Sequence, residues 1–128
     1  MARSEAYDRY PEHVLEFETS AARIRVWIGS DMLAETDRGL SLKEANYPVV
    51  VYIPREDVRM ELLEASAHPK THCPFKGDAN YFDYRNAKSR PEGEQVQPVA
   101  WSYTDPFDQM LDIKGLIAFY SDRVTIDS

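Results

Sequence analysis

Arg23-Ile24-Arg25-Val26-Trp27-Ile28 alternates over six positions, Gly29-Ser30-Asp31 interrupts it, and Met32-Leu33-Ala34-Glu35-Thr36 follows. Side chains of an extended chain point to opposite faces in turn, so Ile24, Val26 and Ile28 share one face. The interruption is turn chemistry, and the second run returns as the partner strand of a hairpin. Turn signals recur roughly every 8–12 residues along the rest of the chain, and no helical period lasts longer than about two turns. The stretch therefore predicts a mainly β fold: a compact single-domain β-sandwich or barrel of short antiparallel strands, with one or two short helical turns.

Working outward from the hairpin, Leu15 and Phe17 face one way on an extended chain and Val14, Glu16 and Glu18 the other. Residues 1–12 mix charges with tyrosines without a period and read as a flexible or loosely docked lead-in, leaving 13–128 as one β-rich domain. Asp37-Arg38-Gly39 is a turn, and Leu40-Ser41-Leu42-Lys43 alternates again, which reads most simply as a meander. Val49-Val50-Val51-Tyr52-Ile53 is β-branched or aromatic throughout and predicts a strand buried on both faces. Pro54-Arg55-Glu56-Asp57 suits one helical turn, with proline at its first position and acids after it. Val58 to Leu62 alternates, while a helix through Leu63 suits the same residues. Ala67 to Gly77 reads as an ordered loop, Tyr81 to Arg85 as an aromatic strand, and 88–97 as an exposed hairpin tip. Val99 to Tyr103, Leu116 to Tyr120 and Val124 to Ile126 supply the remaining strands.

The chain has 128 residues, a size for one domain that needs no disulfide or metal staple. Fifteen Lys and Arg against 22 Asp and Glu give a net charge of −7, which disfavours general nucleic-acid binding through phosphate neutralisation. No apolar run reaches the roughly 18 residues of a membrane span, and the first residues lack the apolar centre of a signal peptide. The single cysteine cannot form an intrachain disulfide, and a cytoplasmic setting is expected.

Several segments occur in a distinctive order: Tyr52-Ile53-Pro54-Arg55-Glu56-Asp57-Val58, Thr71-His72-Cys73-Pro74-Phe75-Lys76-Gly77, Trp101-Ser102-Tyr103 with Pro106, Ala118-Phe119-Tyr120, and Arg123-Val124. Together they resemble the domain of unknown function 427 family over roughly residues 14–126. The resemblance implies a compact β-rich fold and names no reaction. That family is sometimes labelled a nucleotidyltransferase-type domain, a chemistry that needs carboxylates holding Mg²⁺ and a phosphate cradle. Gly29-Ser30 is present, but no Asp-x-Asp-like pair follows it. Asp37 and Glu44 stand alone, and five glycines provide no phosphate loop.

Three constellations are left as candidates. Cys73, beside His72 and near Lys76, is the candidate catalytic thiol, since nearby positive charge favours the thiolate; the competing reading is a small packed hydrophobe. His68, His72 and Cys73 fall short of the four ligands a structural zinc site normally uses, so no metal site is expected. Arg55, Arg59 and Lys76, with Tyr52, Trp101, Tyr103 and Tyr120, suit recognition of a small anion: cations grip its charge and rings stack on it. This predicts a pocket beneath the Cys-Pro-Phe-Lys-Gly loop with Lys76 and Arg55 as its charged contacts. Alternatively Arg55 and Arg59 pair with Glu56, Asp57 or Glu61, and the rings fill the core. No cofactor fingerprint is present, and no cofactor is expected. The other class of function is a protein-interaction or scaffolding module without catalysis, presenting an apolar patch or a free strand edge.

Overall fold

A computed structural model describes residues 3–20, 22–86 and 97–127. The expected hairpin forms: β2 (Ile24–Ile28) pairs antiparallel with β3 (Asp31–Thr36), and Gly29 adopts φ +56° in the turn. Ile24 and Val26 are buried as the alternation requires, and a bulge falls between Val26 and Trp27. β11 (Thr125–Asp127) adds to the other edge of β2.

The chain does not continue as a meander. β4 (Gly39–Glu44) leaves β3 and instead pairs with β1 (Leu15–Ser20) on one side and β5 (Val50–Tyr52) on the other. Polar contacts at the corner explain the departure. The Thr36 hydroxyl accepts the Arg38 amide N–H and donates to Asp57 Oδ2 at 2.8 Å, while the Arg38 guanidinium reaches Glu56 at 3.0 Å and Asp57 at 3.1 Å. The hydrogen bond from Arg38 holds the Asp57 carboxyl below its usual range. Just after the corner, a Cβ on Gly39 would lie 2.8 Å from Val51 Cγ1, so glycine lets β4 pass close to its neighbour.

A second sheet runs β10 (Ala118–Phe119), β9 (Ala100–Ser102), β8 (Gly77–Tyr84), β6 (Leu63–Ala65). β7 (Thr71–Cys73) also pairs with β8, so part of the expected 67–77 loop is a strand, and Pro74 to Lys76 turn the chain back. Pro54 does introduce a helical turn, a 3-10 stretch over Arg55–Asp57. Residues 58–62 form neither a strand nor a helix through Leu63; Met60–Leu62 is one 3-10 turn leading into β6. The expected hairpin tip at 88–97 lies outside the described residues except for Gln97.

Backbone bonds between Ile53 and Ile117, 2.7 and 2.8 Å in the two directions, join the β1–β4–β5 sheet to the sheet that holds β10. Register then sorts the side chains. Phe82, Ala100 and Phe119 lie opposite one another on one face, and Tyr81, Trp101 and Ala118 on the other. The first face packs on Ile24, Val26, Leu33 and Ala34 of the β2–β3 hairpin. The second gathers Leu42, Tyr52, Tyr103, Met110 and Ile113, the last two from a 3-10 stretch over Asp108–Ile113. Among the described residues the result is a layered β structure of three antiparallel sheets with no closed barrel.

Two further expectations change. The Val49–Ile53 stretch is not buried on both faces: Tyr52 and Ile53 are 1% and 2% exposed, but Val49 is 55% exposed. Among the described residues Ile53 and Ile117 form an isolated antiparallel bridge, and β5 lies beside β10 without extending it into a ladder. The lead-in is anchored rather than loose. α1 (Ala6–Arg9) is flanked by Ser4, which exchanges bonds with Gln109 and donates to the Pro74 carbonyl, and Tyr7 donates to the Phe75 carbonyl at 2.7 Å.

Gly77 closes the turn into β8 at φ +116°, and a Cβ there would sit 3.3 Å from both the Asp105 carbonyl oxygen and Pro106 Cα. Gly77→Ala is expected to cost about 1–3 kcal/mol, because a side chain strains this conformation and the neighbours are backbone. Urea unfolding at pH 7 checks this.

Candidate functional site

Beside β5 and the end of β10 the structure opens into a cavity of about 510 Å³. Its wall draws on both faces of the joined sheet. Phe119 comes from the first face with Ile24 and Val26 of the β2–β3 hairpin packed on it, Leu42 and Trp101 from the second, and Lys76 from the turn between β7 and β8. Tyr120 and Asp122, after β10, and Tyr47 to Val51, leading into and along β5, complete it.

The aromatic wall is built in sequence. Trp101 donates its indole N–H to the Tyr52 hydroxyl at 3.4 Å and lies edge-on to that ring. Its other neighbour is Tyr120, with ring centroids 4.6 Å apart, and the Arg123 guanidinium stands 4.3 Å from the Tyr120 centroid. Burial raises the Tyr52 phenol, and burial likewise pushes Tyr120 up to about 12.

The polar end is an ion pair. Lys76 Nζ lies 2.6 Å from Glu44 Oε1, with the two side chains only 15% and 14% exposed. His13 Nε2 contacts the other oxygen of Glu44 at 2.8 Å, and its ring stacks on Phe75 at 4.1 Å. Burial disfavours the charge on Glu44, but hydrogen bonds from Lys76 and His13 outweigh it and hold the carboxyl below its usual range. Burial likewise works against the Lys76 ammonium, and the Tyr52 oxygen with Glu44 outweighs it, so that Lys76 is raised. Beneath Lys76, at 5.8 Å, is the ring of Tyr103, a buried phenol whose pKa burial also raises. The phenols, Lys76 and Glu44 therefore keep fixed charge states around neutral pH.

Of the residues singled out in the sequence, Lys76, Trp101 and Tyr120 line the cavity, with Tyr52 and Tyr103 packed behind them. Cys73 is half-buried against the second core cluster and does not line the cavity. Arg55 and Arg59 are not there either. The 3-10 turn after Pro54 sends Arg55 to the Gly115 carbonyl at 3.3 Å and over the Phe82 ring at 5.6 Å. Arg59 is exposed, and its backbone N–H is bonded to the Leu33 carbonyl. Glu56 and Asp57 pair with Arg38. His72 contacts Asp78, and His68 the Pro69 carbonyl. Among the described residues no group of three or more His, Cys, Asp or Glu is placed to hold a metal ion, and no helix is long and apolar enough to cross a membrane.

Sequence reasoning missed Glu44 and His13 as members of the site. A signal for Glu44 was present: it follows Leu40 and Leu42 at the strand period of two, which puts a carboxylate on a face that is otherwise apolar. His13 had none, since its approach depends on how the lead-in folds back.

Fold and cavity together define a single-domain, mainly β protein with a mostly apolar hollow ending in a buried ion pair. The chain belongs to the family described as Domain of unknown function (DUF427), whose model matches residues 16–127. Comparison with curated proteins finds no match.

Proposed function

We propose that this domain is a binding module that takes a small, mainly apolar organic molecule into the cavity beside β5 and β10. The observation that carries this reading is the composition of the wall: aliphatic side chains and the Trp101–Tyr120 ring pair, ending at Lys76 and Glu44. Pockets of this size, mostly apolar with a few converging polar groups, are the usual form of small-molecule sites. The ligand class differs from the small anion that the sequence suggested. Lys76 is already balanced by Glu44, and Asp122 adds a second carboxylate to the lining. The better fit is an uncharged polar end that accepts from the ammonium and donates to the carboxylate, as an amide does. Planar rings on such a ligand stack on Trp101.

A thermal-shift panel of uncharged aromatic amides, the matching carboxylates and organic phosphates tests this. The amides are expected to raise Tm more than the charged compounds. Trp101→Ala should weaken amide binding by about tenfold or more through lost ring contact, and Arg55→Ala should leave it unchanged. A panel without any shift, or shifts that survive in Trp101→Ala, would contradict the proposal.

A further inference from the structure

We infer that the guest is a cation: a small organic amine whose ammonium lies beside the Trp101–Tyr120 ring pair with Asp122 as its counter-ion. This rests on the cavity being the binding site and goes further by naming the charge of its occupant.

The charges of the wall carry the argument. Three charged residues line the cavity: Glu44, Lys76 and Asp122. The first two neutralise each other, with Lys76 Nζ 2.6 Å from Glu44 Oε1, and the other oxygen of Glu44 meets His13 at 2.8 Å. Asp122 differs. Among the described residues no cation and no hydrogen-bond donor pairs with its carboxylate. Arg123, its neighbour in sequence, is held elsewhere: it donates to the Pro98 carbonyl at 2.6 Å and stands 4.3 Å from the Tyr120 centroid. The turn that presents Asp122 is fixed at both ends. Tyr120 donates its N–H to the Val99 carbonyl at 2.9 Å, and Arg123 donates its own to the Tyr120 carbonyl at 3.0 Å. The lining thus keeps one uncompensated negative charge, on a chain whose net charge is −7. A cleft with an excess of one sign concentrates ligands of the other.

The rings favour the same sign. A cation is attracted to the face of an aromatic ring, and most strongly to tryptophan. Trp101 meets Tyr52 edge-on and Tyr120 at 50°, and among the described residues no Lys or Arg lies over it. Tyr120 already holds the Arg123 guanidinium, so this wall does accept a cation. Tyr47, 62% exposed, brings a further ring to the lining. Asp122 is exposed as well, so an ammonium beside it keeps part of its hydration and avoids most of the desolvation cost of a buried pair. An anion meets the reverse: Asp122 repels it, and Lys76 is already bonded to Glu44. The class that fits is an amine carrying an uncharged amide, the amide at Lys76 and Glu44 and the ammonium at Asp122.

The test titrates the whole chain at neutral pH and low salt, followed by the NMR shift of the Trp101 indole. The probes are para-(aminomethyl)benzamide and para-(aminopropyl)benzamide, each compared with an uncharged twin of its own shape, para-ethylbenzamide and para-butylbenzamide. At least one amine should bind about fivefold or more tightly than its twin. Asp122→Asn should remove most of that advantage and leave the affinity of the twin unchanged. Asp112→Asn, which removes an exposed carboxylate outside the cavity, should preserve the advantage. Amines that bind no better than their twins, or an advantage undiminished in Asp122→Asn, would overturn the inference. If the twins bind and the amines gain nothing, the cationic guest is wrong and the binding module stands. If no compound binds, both fall.

Discussion

Lys76→Met is expected to destabilise the protein by about 3 kcal/mol at pH 7, measured by urea unfolding. Removing one member of a buried ion pair leaves the other charge without compensation, which typically costs about 3–5 kcal/mol. The low end applies because His13 still contacts Glu44 at 2.8 Å. The double variant Lys76→Met with Glu44→Gln should recover much of the loss, since no buried charge is then stranded. A cost below about 0.5 kcal/mol for the single change would mean that the pair behaves like an exposed one.

The pH dependence has a definite sign. The Glu44 carboxyl is lowered in the folded protein, so its contribution is present above the unfolded value of about 4.3 and is lost as pH falls through the folded value. Lys76 is raised, so its contribution is complete below the unfolded value of about 10.4 and is lost as pH rises through the folded one. Between those limits the pair's contribution is flat, and Lys76→Met should remove the alkaline arm.

Ile53→Ala should cost about 2–5 kcal/mol, whereas Val49→Ser, four residues earlier in the same apolar stretch, should change stability by less than about 0.5 kcal/mol. Ile53 is 2% exposed and sits where the sheet of β5 meets that of β10, so truncation opens a void against Ile117. Val49 is 55% exposed at the cavity mouth and gives up little buried contact. Chemical denaturation of the two variants side by side checks the contrast. Equal losses would mean that the whole stretch is buried.

The same stretch shows where the sequence is legible and where it is not. Local alternation marks what a strand does by itself: the β2–β3 hairpin, the inward set of Leu15 and Phe17 on β1, and the Pro54 turn could all be read from neighbouring residues. Which strands then pair depends on contacts distant in sequence. The corner at Arg38 is fixed by Glu56 and Asp57, and nothing within residues 36–39 announces them. Five β-branched or aromatic residues in a row suit a strand buried on both faces, but they equally suit one whose first half lines a hollow. For the site, Lys76, Trp101 and Tyr120 converge because the β7–β8 turn, β9 and the end of β10 are neighbours in one sheet. Arg55 shares with them the segments that carry the family resemblance, yet a three-residue helical turn is enough to send its side chain to Gly115.

The central claim is that the hollow beside β5 and β10 receives a ligand, and backbone and indole NMR shifts recorded during a benzamide titration test it most directly. The expected result is a set of saturable shifts at Val51, Phe119, Tyr120 and the Trp101 indole, with Arg55 and Arg59 unmoved. Shifts centred on Arg55 and Arg59, or none at the cavity residues up to saturating benzamide, would contradict it.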